Sequence, residues 1–142
     1  MEPTLLGLVL DSSVIIDAER RRQTVEEFLS GIRQNFGEIE ISISAVTVAE
    51  LAHGVARANT QEIRVRRRTF IDDLKKHVPV HAVLDESGEI AGKLSGELAA
   101  KGIRLPIDDL LIGVAALEQG YAVMTLNVRH FRTIPGLTIV QR

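Results

Sequence analysis

Three acidic residues stand among apolar neighbours, where an ionised carboxylate needs compensation. Asp11 directly follows the apolar run 5–10, Glu50 lies within the largely apolar segment 45–52, and Asp109 precedes the apolar run 110–117. Burial of an unpaired carboxylate costs several kcal/mol unless a hydrogen-bond donor or a cation compensates it. Asp11 could be a plain helix cap and Asp109 a plain partner of a helix dipole, so both structural roles remain alternatives to a functional one.

The elements that would position these acids follow an alternating pattern. Short apolar runs predict strands at 5–10, 39–43, 78–83, 121–126 and 137–140, with helical periodicity between them. Helix starts are predicted at Ser12 and Ser13, at Thr24 with Glu27 in capping-box spacing, and at Ser44. The alternation predicts a three-layer α/β/α sandwich with a mainly parallel sheet of about five strands. No repeat or linker divides residues 1–142, so we expect a single domain.

The predicted topology brings the three acids together. In such sheets ligands bind at the carboxyl ends of the strands, near the switch in strand order, and Asp11, Glu50 and Asp109 all fall at that edge. Converging carboxylates repel, and a hard divalent cation is the simplest compensation. The sequence has no cysteine, so the ligands would be oxygen or imidazole, which favours Mg²⁺ or Mn²⁺. Such a metal would orient a phosphodiester and activate water.

Charge and hydropathy limit the other possibilities. A formal net charge of −2 argues against non-specific coating of nucleic acid. Five arginines cluster on one segment, where they could flank an RNA path or form a solvated or partner-binding face: Arg57, Arg64, Arg66, Arg67 and Arg68. The longest apolar stretch, 110–117, is too short to span a bilayer, and the start does not resemble a signal peptide. We therefore expect a cytoplasmic protein with no membrane association.

Four segments resemble the motifs of one known family in the correct order. These are Leu8 to Asp17, Ser44 to Gly54, Asp109 to Leu117 and Met124 to Phe131, and they resemble PIN domains, especially VapC-type toxins. The resemblance implies an α/β/α ribonuclease that uses Mg²⁺ or Mn²⁺, is inhibited by a VapB-type antitoxin and commonly forms a homodimer. It also implies site residues: Asp11, Glu50 and Asp109 as the metal-binding acids, Ser13 as a supporting polar residue, and Asn127 at a position that is Asn or Asp in relatives.

The chain departs from that pattern at two positions in the fourth motif. His130 stands where relatives often have Asp, and Leu126 where they often have a polar residue, so this corner of the site is less acidic here. Asp108 adjoins Asp109 in sequence, but it lies on the same stripe of the helix as Gln119, a polar residue near the helix end. We therefore expect both Asp108 and Gln119 to lean toward solvent, and Asp108 to have only a supporting role.

Two other classes of protein remain as alternatives. An Asp at the end of the first strand is also typical of phosphohydrolases and phosphoacceptor domains. Dehalogenase-like phosphatases, however, need a second Asp two residues later, where this chain has Ser13. A PIN scaffold retained only for binding RNA or protein would be expected to have lost one of the three acids, and all three are present.

Overall fold

Five parallel strands form the centre of the structure, a computed structural model that describes residues 5–142. The strands are β1 (Gly7–Leu10), β2 (Glu40–Ser44), β3 (Val80–His81), β4 (Ala122–Thr125) and β5 (Ile139–Gln141). Their order in the sheet is β3-β2-β1-β4-β5, and every neighbouring pair is parallel. The chain therefore builds from β1 outward to β3 and then crosses to the other side of β1. The switch in strand order consequently lies between β1 and β4.

Helices cover both faces of this sheet. They are α1 (Ser12–Arg20), α2 (Val25–Phe36), α3 (Ala45–Ala56), α4 (Gln61–His77), α5 (Asp85–Ala100), α6 (Ile107–Gln119) and the short α7 (Val128–Phe131). Leu8 and Leu10 of β1 pack with residues of α1, α2 and α4, whereas Val9 packs with α5 and α6. This two-residue alternation is that of a strand buried on both faces. The predicted three-layer α/β/α sandwich is confirmed; the single-domain span 1–142 stays a prediction, and its first four residues lie outside the described ones.

Local sequence signals explain the starts of two helices, α2 and α3. Thr24 accepts a hydrogen bond from the Glu27 N–H at 3.0 Å, and the Glu27 side chain accepts one from the Thr24 N–H at 2.9 Å, which completes the predicted capping box. Ser44 caps α3 through the Val46 N–H at 3.1 Å, as predicted. The prediction that serines cap α1 is wrong, because Asp11 is the N-cap residue and Ser13 lies inside the first turn.

Two elements at the edges of the fold differ from expectation. The third strand is only two residues long, shorter than the predicted 78–83, and it lies at one edge of the sheet. The helix α7 was not predicted, because one turn is too short to show a hydrophobic period. It contacts α6, and the segment that follows it approaches α6 closely at Gly113, where a Cβ atom would lie 2.7 Å from Ile134 Cδ1. No helix among residues 5–142 combines the length and apolar character needed to cross a membrane.

Candidate metal centre

Asp11 is held rigidly at the switch point. Its backbone N–H extends the sheet by donating to Met124 O at 2.9 Å, and its side chain is buried. Ser13 Oγ donates to Asp11 Oδ2 at 2.7 Å, and Thr125 Oγ1 donates to the same oxygen at 2.8 Å. Asp11 makes no side-chain cap for α1, so the plain capping role is excluded. With Oδ2 fixed by two donors, Oδ1 is the oxygen that can serve a ligand.

The two hydroxyls that orient Asp11 are themselves oriented by backbone groups. The Leu126 N–H donates to Ser13 Oγ at 3.0 Å, and the Asn127 N–H donates to Thr125 Oγ1 at 2.8 Å. Because each hydroxyl accepts one of these bonds, its own hydrogen is free to point at Asp11. Chained hydrogen bonds of this kind reinforce one another. The turn after β4 therefore sets the geometry of the acid after β1.

Glu50 lies in the second turn of α3, and hydrogen bonds compensate the burial of its carboxylate only in part. Its Oε1 atom is buried and has no hydrogen-bond partner among residues 5–142. Burial raises the pKa of Glu50, the Ser12 hydroxyl opposes this, and the negative charges of Asp11, Asp108 and Asp109 raise it further. A half-buried carboxylate with one unpartnered oxygen and several negative charges nearby is unusual in a purely structural role.

Asp109 lies in the first turn of α6 and faces the same acids. Its side chain is only 14% exposed, and its Oδ2 lies 3.0 Å from Nδ1 of His130 on α7. Burial raises the pKa of Asp109, the charge of His130 lowers it, and Asp11 and Asp108 raise it again. Asp108 is exposed but acts electrostatically on both Glu50 and Asp109, so it belongs to the rim of the cluster.

The chemistry of Asp11, Glu50 and Asp109 suits a hard divalent cation. The cluster offers carboxylate oxygens from three elements, and the orphaned Glu50 oxygen needs a positive partner. As the side chains stand, no three acids or histidines within residues 5–142 are close enough to enclose one ion. The two observations differ because electrostatic influence extends over several Å, whereas ligation requires oxygens at about 2.1 Å from Mg²⁺. Binding would therefore draw the carboxylates inward by changes of side-chain rotamer.

Comparisons with known proteins show the family of the chain. The family model described as PIN domain matches residues 8–137. The chain belongs to the PIN-domain family. It is 28% identical over 135 residues to the ribonuclease VapC1 of Rickettsia felis, covering 95% of this chain and 96% of that protein. It is 31% identical over 143 residues to the ribonuclease VapC5 of Mycobacterium tuberculosis, covering 99% and 97%. The crystal structure of VapBC-5 from M. tuberculosis, of the VapBC family of toxin-antitoxin systems, matches with a TM-score of 0.70 at 27% identity, covering 96% and 97%.

The structure also places the other residues of this PIN domain that the sequence singled out, Asn127 and the arginine cluster. Asn127 is exposed at the start of α7, and its backbone rather than its side chain contributes to the hydrogen bonds around Asp11. Four of the five clustered arginines have partners within the chain: Arg66 with Glu19 at 2.7 Å, Arg67 with Gly54 O, Arg68 with Asp72, and Arg64 with Gln61 and Ala58 O. The structure thus favours an intramolecular role for most of this cluster over a free phosphate-binding face.

Sequence reasoning missed one residue of this site and left another without a role. Thr125 is fully buried and orients Asp11 across 114 positions of sequence. Its signal was available, because it ends β4 at the carboxyl edge where ligands bind. His130 was noted only as a departure from the family pattern, yet its ring contacts Asp109.

Proposed function

We propose that this PIN domain is a metal-dependent endoribonuclease, the toxin of a toxin–antitoxin pair. Its relatives named as VapC ribonucleases are similar over nearly their whole length, which supports this activity. In this proposal Asp11, Glu50 and Asp109 hold Mg²⁺ or Mn²⁺ and are the catalytic acids, with Ser13, Asn127 and Asp108 in supporting roles. The observation that carries the proposal is the buried Glu50 oxygen, which has no hydrogen-bond partner among residues 5–142 although the side chain lies within the electrostatic influence of Asp11 and Asp109.

The chain's own groups supply orientation and charge for this reaction. Asp11 presents one fixed oxygen because Ser13 and Thr125 hold the other. Glu50 and Asp109 add negative charge whose mutual repulsion favours capture of a cation. When bound, the metal would orient the phosphodiester, lower the pKa of a water molecule and stabilise charge on the phosphate oxygens. Aromatic residues make up only 4% of the sequence, so contacts to the backbone rather than base stacking would hold the RNA.

The direct test uses the purified chain, a labelled single-stranded RNA and a DNA of the same sequence. We expect EDTA to abolish cleavage of the RNA, Mn²⁺ or Mg²⁺ in excess of the chelator to restore it, and the DNA to stay intact. Glu50→Gln purified in parallel controls for contaminating nuclease. Undiminished RNA cleavage in EDTA would remove the metal from the mechanism. Hydrolysis of a generic phosphomonoester without RNA cleavage would instead favour the phosphohydrolase alternative, and metal-independent RNA binding alone would favour the scaffold alternative.

A partner is also part of the proposal, and a pocket beside Glu50 supports it. Five apolar side chains of α1, α3 and α4 line this pocket together with Glu19, Arg20, Glu50, Gly54 and Arg67: Ile15, Ile16, Leu51, Phe70 and Ile71. A VapB-type antitoxin that places an apolar side chain here could extend an Arg or Lys to Glu50 and replace the cation electrostatically. A homodimer stays a prediction from the family resemblance.

The antitoxin proposal is tested by co-expressing this chain with whatever small protein is encoded by a gene adjoining its own. We expect the two to purify together and the complex to lack ribonuclease activity. Changing the partner's basic residue that reaches the acids to Gln should restore cleavage without dissolving the complex. A partner that inhibits equally well after every Arg and Lys near the site has been replaced would contradict this mode of inhibition.

A further inference from the structure

The contact between His130 and Asp109 assigns a role to a residue that the proposed function does not use. We infer that His130 is a positioning residue for the metal centre: its Nδ1 lies 3.0 Å from Asp109 Oδ2, close enough that a small rotation of the ring lets Nδ1–H donate to that oxygen and restrict the rotation of the carboxylate. The inference rests on the proposed metal-binding role of Asp109 and extends it. His130 itself need not touch the metal or the RNA.

The hydrogen-bonding roles in this contact follow from the chemistry of the two groups. An ionised carboxylate only accepts hydrogen bonds, so Nδ1 must carry the hydrogen. That is true both of the neutral ring protonated on Nδ1 and of the doubly protonated ring, so the contact does not depend on which form is present. A carboxylate with one oxygen held by a donor has lost most of its freedom to rotate, and its other oxygen then has a defined direction. Partners of this kind commonly change metal affinity by about 10- to 100-fold when removed.

The same short segment positions two acids of the cluster. Thr125 at its start donates to Asp11 at 2.8 Å, and the ring of His130 at its end lies 3.0 Å from the Asp109 carboxylate. Between them, the His130 N–H donates to Asn127 O at 3.0 Å and closes the turn that carries the ring. One rigid segment thus sets the orientation of carboxylates that arrive from β1 and from α6.

The exposure of His130 makes it possible to test its positioning role without disturbing the fold. The His130 side chain is 53% exposed, whereas Asp109 is only 14% exposed. Removing the ring therefore leaves little cavity and should leave the fold intact, while Asp109 loses its donor. His77 provides a control of similar exposure on α4, outside the acid cluster: its side chain is 56% exposed, and its Nδ1 lies 2.9 Å from the backbone oxygen of Asp73 and 3.8 Å from the Asp73 carboxylate.

The test measures Mn²⁺ affinity of the full-length chain by calorimetry, without RNA, for the parent and for variants of His130. Asn places its amide nitrogen where His carries Nδ1, whereas Gln reaches the position of Nε2. We expect His130→Ala and His130→Gln to weaken Mn²⁺ binding about 10- to 100-fold, and His130→Asn to stay within a few fold of the parent. His77→Ala should bind as the parent does, and all variants should unfold in EDTA at nearly the parent's temperature.

Cleavage assays provide the second readout. For His130→Ala the Mn²⁺ concentration that gives half-maximal rate should rise, while the KM for RNA should stay near the parent value. Parent-like Mn²⁺ affinity in His130→Ala would overturn the inference, and so would rescue by Gln but not by Asn, which would indicate a role for Nε2. If the parent binds no Mn²⁺, the proposed metal function fails together with the inference. If Glu50→Gln abolishes binding and His130→Ala does not change it, only the inference fails.

Discussion

Replacing Glu50 with Gln should separate its function from its contribution to stability. In the metal-free protein the ionised Glu50 is half-buried, has one orphaned oxygen and lies near the charges of Asp11 and Asp109. The amide removes the charge while keeping the shape of the side chain. We therefore expect Glu50→Gln to unfold at the same or a higher temperature than the parent in EDTA, and to lose ribonuclease activity.

The expected size of this effect follows from the raised pKa of Glu50. Each unit by which folding raises the pKa of a carboxyl group lowers the free energy of unfolding by about 1.4 kcal/mol at a pH above both values. Glu50 is partly exposed, so solvent screens much of this, and a gain of roughly 0.5–1 kcal/mol is expected for the variant. For a chain of this length that corresponds to an increase of roughly 2–4 °C in Tm.

The sign of the pH dependence provides an independent check. The pKa values of Glu50 and Asp109 are both raised by folding. At pH values below the ordinary carboxyl pKa, these two groups should therefore not destabilise the metal-free parent. As pH rises from there through the raised pKa values of the folded state, the free energy of unfolding of the parent should fall. Glu50→Gln should show a smaller loss over the same range.

Thermal unfolding in EDTA and in Mn²⁺ tests these expectations, with Glu40→Gln as the matched control. Glu40 is an exposed residue at the opposite end of β2, and its substitution makes the same change in charge. At a Mn²⁺ concentration about 100 times Kd, the parent should gain about 2.7 kcal/mol, whereas Glu50→Gln should gain little. A fall of several degrees for Glu50→Gln in EDTA, beyond that of Glu40→Gln, would refute the reasoning and mean that Glu50 has a structural partner.

Two further substitutions test other parts of the site. Asp109→Asn should slow RNA cleavage at saturating Mg²⁺ by at least about 100-fold, whereas the exposed Asp108→Asn should have a much smaller effect; the reverse order would place the ligand at Asp108. Thr125→Val should lower the free energy of unfolding by about 1–3 kcal/mol and weaken Mn²⁺ binding by about tenfold, because Asp11 loses a donor and the Asn127 N–H loses an acceptor. Thr125→Ser keeps the hydroxyl and should retain Mn²⁺ affinity, and equal losses in both variants would point to packing instead.

Local patterns were sufficient to predict the fold and the position of the three acids. The capping box at Thr24 and the cap at Ser44 each depend on residues within a few positions, so they are visible in the sequence. Alternation of strands and helices then implied a parallel sheet, and the carboxyl-edge rule assigned Asp11, Glu50 and Asp109 to the same edge of it.

Contacts between residues distant in sequence could not be read in this way. Gln119 was expected to lean toward solvent, but its Nε2 donates to Ser42 Oγ and to Ala115 O, both at 3.0 Å. The expectation followed from helical geometry alone. The observed position of Gln119 depends on the hydroxyl of Ser42 in β2, which is 77 positions away in the sequence. Helical periodicity gives the direction of a side chain but not the polarity of what it meets.

The strand order also explains why orientation at this site depends on the segment that follows β4. The crossover of the chain brings β4 beside β1, and Asp11 extends this pairing because its N–H donates to Met124 O at 2.9 Å. The Leu126 and Asn127 N–H groups beyond that strand end have no further ladder to join, and they instead donate to the hydroxyls of Ser13 and Thr125. Those hydroxyls then hold Asp11, and the same chain continues into the turn that brings His130 to Asp109. The acids therefore supply the charge of the centre, while their orientation is set by backbone groups that the end of β4 leaves unpaired.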